Sequence, residues 1–394
     1  MNYILFEDLK VDDLRPFSLI HTSFELRCGM YTNIQRVLNI IDPSDKLYLI
    51  VRPGLEDITR ERYPNLIINP SIIPSGIMLN GATVWTKKLV ESIEENKVYS
   101  SSGRVIAMNR EVSTNLDDFY ELLKESIQVT LDINVVHIEY LWDLIFSLSE
   151  TLLNDSIEIN VDDSNHTIHS STIMNKHENI IINSKVDIGA GVVLDSTSGP
   201  IIIAQGAKID IGALIQGPIY IGKHTVINPG AKLRGNISIG PVCKIGGELE
   251  DVVIHGYTNK QHDGYLGHSF LGEWINVGAN TNNSDLKNNY STIRMNISKD
   301  FEINTLKQFL GVFIGDYAKT GISTMINSGT FIGLGANVFG SGFQPKYIES
   351  FGWGREDKTD FEKFIITCKK IKERRKLQMS EVEIKLLKKI YENI

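Results

Sequence analysis

The spacing of hydrophobic residues changes along the chain and divides it into regions. In the first 150 residues, short apolar runs such as Tyr3–Phe6 and Leu47–Val51 predict buried strands. Two stretches have helical spacing: Leu116, Phe119, Leu123 and Ile127, and then Leu141, Leu144, Ile145 and Leu148. Strands that alternate with helices are typical of a layered α/β fold, which we assign to residues 1–155. A polar stretch from about residue 150 to 175 predicts a linker.

From there to Gly342 the apolar positions recur every six residues. Two runs keep this step without a break: Ile221, Ile227, Leu233, Ile239 and Ile245, and later Ile314, Thr320, Ile326, Ile332 and Val338. Gly or Asn follows most of these positions. Helices repeat every three to four residues and strands every two, so a period of six predicts a solenoid with three short strands per coil of about 18 residues. We expect the aliphatic residue to point inward and its small neighbour to form the corner.

The two runs are out of phase, and this change of phase predicts where the chain leaves the solenoid. We expect one loop at about Glu248–Tyr265 and a second excursion at about Ser284–Leu310. Loops on a rigid scaffold commonly carry function. A β-sandwich with regular turns is the weaker alternative, because it would not keep five equal steps twice.

After Gly342 the period of six ends, and residues 355–394 are predicted to form carboxyl-terminal helices at Asp360–Leu377 and Glu381–Tyr391. Ser380 with Glu383 resembles a capping box. Basic residues concentrate here: Lys369, Lys370, Lys372, Arg374, Arg375 and Lys376. A solvated helix face is the favoured interpretation, and an electrostatic site for a phosphate-bearing ligand is the alternative.

Composition excludes several classes of protein. The 394 residues carry a net charge of −8, which argues against non-specific nucleic-acid binding. No apolar stretch of about twenty residues predicts a membrane span, and no signal-peptide pattern opens the chain. Cys28, Cys243 and Cys368 are widely spaced, so we expect neither a disulfide framework nor a cysteine metal site. We therefore expect a reduced, cytoplasmic setting.

The segment Gln261–Thr281, QHDGYLGHSFLGEWINVGANT, resembles the acetyltransferase half of the bifunctional UDP-N-acetylglucosamine diphosphorylase/glucosamine-1-phosphate N-acetyltransferases. The matched elements are His262, Tyr265, Leu266-Gly267, Gly272, Asn276, Val277-Gly278-Ala279 and Thr281. This resemblance implies that residues 175–342 form a left-handed parallel β-helix. It also implies a homotrimer that binds acetyl-CoA between neighbouring subunits and acetylates glucosamine 1-phosphate.

The resemblance implies a role for each matched residue. His262 becomes the general base, a role that suits an imidazole near neutral pH. The implied substrate contacts are Tyr265, Asn276, Lys232, Arg234, Asn289 and Tyr290, and the implied coenzyme A contacts are Ala279, Asn280 and Thr281. One position departs from the family, because Glu250 stands where a second basic residue is expected to hold the sugar phosphate.

Three histidines, His255, His262 and His268, lie within fourteen residues and raise the alternative of a zinc site. Their spacing matches no familiar ligand pattern, so we predict no metal in the second half of the chain.

The amino-terminal region lacks the glycine-rich loop that follows the first strand of ordinary sugar nucleotidyltransferases. Its Leu14–Phe17 and Glu25–Arg36 segments instead resemble predicted, divergent sugar nucleotidyltransferases fused to this kind of β-helix. The resemblance implies UTP as a substrate and Mg²⁺ as a cofactor, although no acidic pair for the metal stands out. Four residues are candidates for contacting nucleotide phosphates: Arg15, Arg27, Thr32 and Arg36. Salt bridges and a helix cap are an equally weighted alternative for them.

The leading hypothesis from the sequence is therefore a cytoplasmic, trimeric sugar-phosphate acetyltransferase fused to a nucleotidyltransferase-like domain. A different sugar or acyl donor is the runner-up. A non-catalytic trimerising scaffold is the third hypothesis, and the presence of His262 and the Asn276–Thr281 segment argues against it.

Overall fold

The computed structural model describes residues 1–125, 135–157, 159, 162 and 164–394, so the predicted helical position Ile127 lies outside it. Eight strands belong to the amino-terminal region: β1 Asn2–Phe6, β2 Arg27–Cys28, β3 Tyr31–Thr32, β4 Lys46–Ile50, β5 Ile67–Ile68, β6 Gly76–Asn80, β7 Val98–Ser101 and β8 Arg104–Arg110. Its helices are α1 Asn33–Ile40, α2 Glu56–Arg62, α3 Lys87–Glu91, α4 Leu116–Glu125 and α5 Leu141–Ile157. Short 3₁₀ turns lie at Val11–Leu14, Phe17–Leu19, Ser23–Glu25 and, later in the chain, His177–Asn179.

Six of these strands form one mixed sheet in the order β5-β4-β1-β6-β8-β7. The first four are parallel, and β8 and β7 are antiparallel to their neighbours. Successive side chains of a strand point to opposite faces. Leu5 therefore packs with Ile34 and Val37 of α1, whereas Phe6 packs with Phe119 of α4 on the other face. The predicted α/β fold of this region is confirmed.

The second half of the chain is a parallel β-helix with three faces. Its first group of strands is β9 Thr167–Ile168, β10 Ile173–Asn175, β11 Ile180–Ile182, β12 Asp187–Ile188, β13 Val193–Asp195, β14 Ile201–Ile203, β15 Lys208–Ile209, β16 Leu214–Gln216, β17 Ile219–Ile221, β18 Val226–Ile227, β19 Lys232–Arg234, β20 Ile237–Ile239 and β21 Lys244–Ile245. Its second group is β22 Glu248–Gly256, β23 Asn259–Lys260, β24 Tyr265–Glu273, β25 Asn282–Asn283, β26 Arg294–Ser298, β27 Phe301–Asn304, β28 Val312–Ile314, β29 Lys319–Thr320, β30 Met325–Ile326, β31 Thr330–Ile332, β32 Asn337–Val338, β33 Tyr347–Ile348, β34 Gly352–Trp353 and β35 Asp357–Lys358.

Parallel pairing between coils fixes the repeat. Ile201 lies opposite Ile219, and Ile219 opposite Ile237, which is the predicted coil of 18 residues. The aliphatic residues of both predicted runs are buried inside the prism in one continuous core. Burial of each aliphatic side chain stabilises the fold by roughly 1.5–3 kcal/mol. Stacked coils gain this free energy, whereas an isolated coil cannot bury its side chains. The predicted solenoid is confirmed, and pairing of β9, β33 and β34 extends it beyond both ends of residues 175–342.

The glycine beside each inward aliphatic residue has a different role from the one expected. Gly222, Gly240 and Gly246 do not have positive φ. A Cβ atom at Gly240 would lie 1.8 Å from the carbonyl oxygen of His255, and one at Gly246 would lie 2.2 Å from that of Gln261. Glycine is required there because the next coil passes too close for any side chain.

The left-handed corners lie elsewhere, and one of them carries large aromatic residues. Tyr257, Trp274, Tyr317 and Phe351 all have φ between 52° and 61° at this corner. Tyr257 stacks on Trp274 with ring centroids 4.4 Å apart, and Trp274 lies 6.3 Å from Tyr317. This aromatic ladder offers an apolar surface on which the end of the chain packs.

The expected loop at Glu248–Tyr265 is wrong. This segment forms β22, β23 and the start of β24, which remain in register with the coils on either side. The step from Ile237 to its partner Val252 is 15 residues and that from Val252 to Ser269 is 17, so shortened corners, not a loop, shift the phase of the repeat. The second excursion is confirmed: Ser284–Leu310 leaves the coil and contains the antiparallel hairpin β26–β27.

Two carboxyl-terminal helices, α6 (Phe361–Glu373) and α7 (Glu381–Glu392), pack on the aromatic ladder. Ser380 caps α7 as predicted, because its side chain accepts a hydrogen bond from the Glu383 amide. The Glu383 carboxylate instead accepts a 2.5 Å hydrogen bond from the Tyr317 hydroxyl. None of the helices in the described ranges combines the length and apolar character needed to cross a bilayer.

The two halves of the chain are joined by a shared core and by buried polar contacts. Phe17 and Leu144 pack with Phe270 and Phe313 of the β-helix. His21 forms a buried ion pair with Asp316, with Nε2 2.6 Å from Oδ2. The amino-terminal domain therefore docks through the residues that follow β1, and this places α5 alongside one corner of the β-helix.

Candidate active site

His262 lies on an exposed turn between β23 and β24. Its imidazole makes no hydrogen bond or ion pair with any residue in the described ranges. The turn is held from inside the prism by Lys260, whose Nζ donates to the carbonyl oxygens of Gly246, at 3.0 Å, and of His262, at 2.7 Å. The imidazole is therefore open to a ligand, whereas its backbone is fixed.

Lys260 occupies an inward position that the hydrophobic pattern did not reveal. It lies opposite Ile245 of the preceding coil and is 2% exposed. Burial lowers the pKa of its ammonium to about 8, and nearby Asp263 opposes that shift. A search for apolar periodicity overlooks Lys260, because a lysine stands there in a row of aliphatic positions.

Tyr265 belongs to a hydrogen-bonded cluster at the next corner. Its hydroxyl donates to Asp285 Oδ2 at 2.8 Å, and His268 Nδ1 lies 2.8 Å from the same oxygen. His268 Nε2 lies 3.5 Å from Asp251 Oδ2. Asp251 and His268 occupy one corner of successive coils, with φ of 52° and 46°. Sequence reasoning assigned His268 no catalytic role, because Asp251 and Asp285 meet it only in the folded chain.

The electrostatics of the cluster follow from its burial. Burial raises the pKa of Asp285, but hydrogen bonds from His268 and Tyr265 outweigh it and bring that pKa below its ordinary value. Burial and the hydrogen bond to Asp285 raise the pKa of Tyr265, so the hydroxyl stays a proton donor. Asp285 is thus an ionised acceptor that orients both neighbours.

Two other segments flank this cluster. Phe309 of the excursion stacks on His268 with centroids 5.2 Å apart, and Phe146 of α5 lies 6.3 Å from it. Lys307 Nζ lies 4.2 Å above the Phe146 ring. Residues of the β-helix, its excursion and the amino-terminal domain therefore surround His268.

The predicted phosphate contacts Lys232 and Arg234 lie on β19, beside acidic residues of the next coil. Arg234 is ion-paired with Glu250 and lies 3.2 Å from Glu248. Lys232 is exposed and lies opposite Glu248 in the register. Glu250, the departure from the family pattern, neutralises the arginine expected to hold the phosphate.

The predicted coenzyme A contacts lie together on the next coil, at the corner that stacks on the His262 turn. The carbonyl of Ala279 accepts from the amide of Ser323 at 2.7 Å. Asn280 is exposed and donates from Nδ2 to Ser323 Oγ at 3.2 Å. Thr281 is buried, with its Oγ1 3.1 Å from Thr320 Oγ1. Asn280 also donates its amide to the carbonyl of Asp263, which links this corner to the His262 turn.

Asn276 is exposed on another part of the same coil and lines a cavity of about 280 Å³. Asn289 and Tyr290 lie in the excursion, where Asn289 Oδ1 accepts from the Ser291 amide and hydroxyl and Tyr290 is 67% exposed. Within the described ranges, neither side chain is hydrogen-bonded to the Tyr265 cluster.

The four amino-terminal candidates make internal contacts. Arg36 is buried and binds both carboxylate oxygens of Asp155. Arg27 is buried and donates to the carbonyl oxygens of His255 and Met30. Thr32 caps α1 together with Gln35, and half-exposed Arg15 lies 3.2 Å from Asp12. These contacts fit the structural alternative of ion pairs and a helix cap.

The carboxyl ends of the parallel strands, where ligands bind in open α/β sheets, hold a cluster that the sequence did not single out. Arg104 is 5% exposed and donates from Nη2 to Asp13 Oδ2 at 2.7 Å, while Asp8 accepts from Asn80 Nδ2 at 3.1 Å. Arg104 Nη1 lies 3.6 Å from Asp8 Oδ2 and makes no hydrogen bond. Because Arg104 lies between both carboxylates, the described residues do not fit an Mg²⁺ site here.

The three histidines of the zinc alternative share no partner within the described ranges. His255 Nδ1 lies 3.0 Å from Glu273 and its Nε2 2.8 Å from the Glu25 carbonyl, away from the corner of His268. No group of three metal-ligating side chains of the kind that could hold an ion occurs in the described part of the chain.

The chain thus joins an α/β domain to a parallel β-helix whose corner carries a histidine–carboxylate–tyrosine cluster. Comparison with known proteins agrees: residues 3–162 match the model of the sugar nucleotidyl transferase family.

The particular relatives are bifunctional. The chain is 33% identical over 98 residues to a bifunctional sugar-1-phosphate nucleotidylyltransferase/acetyltransferase from Sulfurisphaera tokodaii, covering 24% of each chain. It is 31% identical over 103 residues to the bifunctional protein GlmU of Methanocaldococcus jannaschii, covering 26% of this chain and 25% of that one. The matches thus span about a quarter of the length of these curated relatives. A hexapeptide transferase family protein from Anaplasma phagocytophilum aligns over 58% of this chain and 87% of its own at 17% identity, with a TM-score of 0.11.

Proposed function

We propose that the β-helix transfers an acetyl group from acetyl-CoA to the amine of an amino sugar, with glucosamine 1-phosphate as the acceptor that the sequence resemblance implies. The observation that carries this proposal is the free imidazole of His262 on an exposed turn, three residues before Tyr265, which begins the Tyr265–Asp285–His268 cluster at the next corner. Relatives that join nucleotidylyl and acetyl transfer support it.

The chemistry requires one base and one acyl donor. The sugar ammonium gives a proton to His262, and the resulting amine attacks the thioester carbonyl, so a C–N bond forms and the C–S bond breaks. The proton that leaves the nitrogen balances the thiolate, which departs as free coenzyme A thiol. Tyr265, whose hydroxyl donates its proton to Asp285, is proposed to accept a hydrogen bond from a sugar hydroxyl, and the Ala279–Thr281 corner is the proposed contact for coenzyme A.

The amino-terminal domain is proposed to couple a sugar 1-phosphate to a nucleotide, with UTP as the first nucleotide to test. Its family match supports this role. Arg104 is buried between Asp8 and Asp13 at the ligand-binding edge of the sheet, and we expect its loss to impair this reaction by displacing those two carboxylates. A homotrimer, which the sequence resemblance implies, and a cytoplasmic setting, which the spacing of the cysteines led us to expect, are part of the proposal.

The decisive experiment follows free thiol after acetyl-CoA and glucosamine 1-phosphate are mixed with the purified protein. We expect thiol release from the wild type and a loss of roughly 10²–10⁴-fold in His262→Gln. No release with any amino sugar would overturn acetyl transfer, and unchanged release in His262→Gln would remove that residue from the mechanism. Pyrophosphate release from UTP and N-acetylglucosamine 1-phosphate tests the other domain separately, with Arg104→Gln as its variant.

A further inference from the structure

A cavity of about 280 Å³ lies between helix α6 and the coils of the β-helix. Its lining includes Asn259, Trp274, Asn276 and Lys319 from the coils and Arg374 and Arg375 from the turn after α6. The volume is close to the lower end of the roughly 300–1,000 Å³ typical of ligand pockets, which suits a small molecule.

The charge of the cavity is one-sided. Three of its lining residues are cationic, Lys319, Arg374 and Arg375, and none of the described residues that line it is acidic. Arg375 Nη2 donates to Asn259 Oδ1 at 2.9 Å, but its Nε is buried and has no partner in the described part of the chain. A buried N–H donor of a charged guanidinium costs free energy when it has no hydrogen-bond partner. An anion in the cavity would accept the hydrogen bond that Arg375 Nε leaves unmade.

Lys319, a second cation of the cavity, also has few hydrogen-bond partners. Its Nζ donates to one backbone carbonyl, that of Tyr317, at 3.3 Å. Burial lowers the pKa of this ammonium, which shows that the coils desolvate it without supplying a carboxylate. An ammonium with donors to spare at the edge of a cavity is suited to bind phosphate oxygens.

Asn276 connects this cavity to the proposed active site. Isolated bridges pair Asn259 with Asn276 and Asn276 with Lys319, so two amides and an ammonium form a ladder across three coils. His262 follows Asn259 on the same coil by three residues, so their Cα atoms are at most about 10 Å apart. The ladder therefore lies within the reach of a small extended substrate whose other end is at the His262 turn.

The position from which the family pattern would hold a phosphate is weakened here. Arg234 is ion-paired with Glu250 and lies close to Glu248. A phosphate beside Arg234 would meet these two carboxylates, whereas a phosphate in the α6 cavity would meet cations only.

We propose that this cavity binds the phosphate end of a substrate, held by Lys319, Arg374 and Arg375, while Asn276 contacts the sugar. The assignment of the bound molecule as a sugar phosphate rests on the proposed acetyl transfer. The binding site itself does not, and binding and catalysis are therefore measured separately.

Binding is measured first, on the full chain without acetyl-CoA, by the fluorescence of Trp274, with Trp274→Phe identifying its signal. Glucosamine 1-phosphate and adenosine 3′,5′-bisphosphate are the two phosphate-bearing probes, and unphosphorylated glucosamine is the comparison. We expect glucosamine 1-phosphate to bind at least tenfold more tightly than glucosamine, a difference that a charge-assisted hydrogen bond accounts for.

The test variants are Arg374→Gln, whose side chain makes no hydrogen bond within the described ranges, and Lys319→Gln. The matched control is Lys369→Gln with Lys370→Gln, two exposed cations of α6 outside the cavity lining. We expect each test variant to weaken glucosamine 1-phosphate binding roughly tenfold and the control less than twofold. In steady-state acetyl transfer, the KM for the phosphorylated acceptor rises by the same factor, while kcat and the KM for acetyl-CoA stay close to wild type.

The outcomes separate the two proposals. Binding that depends on Arg374 and Lys319, in a protein that releases no thiol, supports the phosphate site and removes acetyl transfer. Binding of the bisphosphate alone, lost in the same variants, keeps the phosphate site and assigns it to a nucleotide. Equal loss in the control, or binding unaffected by either test variant, overturns the site.

Discussion

Two histidine–aspartate pairs in this protein have nearly the same geometry and different surroundings. At the domain interface, His21 Nε2 lies 2.6 Å from Asp316 Oδ2, with 5% and 2% of the two side chains exposed. At the coil corner, His268 Nδ1 lies 2.8 Å from Asp285 Oδ2, with 15% and 14% exposed. The first pair is enclosed on every side, and the second opens toward the surface beside Tyr265.

The difference shows what each pair can do. Phe17 stacks on His21 at 4.5 Å, and Arg62 and Glu25 complete a closed network with it. No substrate can reach that imidazole without separating the domains. The Asp285 carboxylate instead orients a tyrosine and an imidazole at an edge that a ligand can approach. A histidine–aspartate pair thus stabilises the domain interface where it is buried, and it can contact a ligand where it is partly exposed.

Breaking the enclosed pair has the largest expected effect. Asp316→Ala leaves His21 buried without its carboxylate, next to Arg62, and is expected to lower the free energy of unfolding by about 3–5 kcal/mol. Chemical denaturation followed by tryptophan fluorescence measures this loss. Asp285→Ala is the control at the open corner and should cost clearly less, since water can solvate His268 there. Equal losses would contradict the comparison.

Breaking the open pair should affect catalysis instead. In His268→Gln, Asp285 keeps Tyr265 but loses its second donor, and we expect the specificity constant for the amino-sugar acceptor to fall roughly tenfold. His21→Gln is the matched control and should leave that constant unchanged in the folded fraction. If His268→Gln lowers kcat more than His262→Gln does, His268 and not His262 is the general base.

The enclosed pair also predicts a dependence of stability on pH. Burial alone would lower the pKa of His21, but the ion pair with Asp316 outweighs it and raises that pKa to about 9. A raised pKa stabilises the fold fully below the unfolded value of about 6.5, and this contribution is lost as the pH rises through 9. Unfolding measured from pH 6 to 9.5 should show a decline that His21→Gln flattens. A wild-type profile with the same slope as the variant's would remove His21 as the cause.

The smallest effect is expected at the exposed pair of Arg234 and Glu250. Because Arg234 is 45% exposed and Glu250 31% exposed, Arg234→Gln should change the free energy of unfolding by less than about 1 kcal/mol. Its KM for glucosamine 1-phosphate should also change less than that of Arg374→Gln. A larger rise in KM for Arg234→Gln would place the phosphate at the coil corner and not in the α6 cavity.

The glycines and the phase shift show where sequence reasoning reaches its limit. The period of six was enough to predict the coil, because inward positions must be apolar in any stack of this kind. The reason for Gly240 was not visible, since the carbonyl that excludes a side chain comes from the next coil. The change of phase after Ile245 suggested a loop, but shortened corners absorb it and the coils stay paired.

The sequence by itself determined the α/β domain, the parallel solenoid, the excursion at Ser284–Leu310 and the carboxyl-terminal helices, because each follows from local spacing and burial. It also identified the segment that contains His262 and Tyr265. Only the tertiary structure decided that Arg36 meets Asp155, that Asp285 meets His268, and that Arg374 and Arg375 meet Lys319 across a cavity. These contacts join residues far apart in the chain, and whether a charge is neutralised depends on which partner the packing brings within a few ångströms.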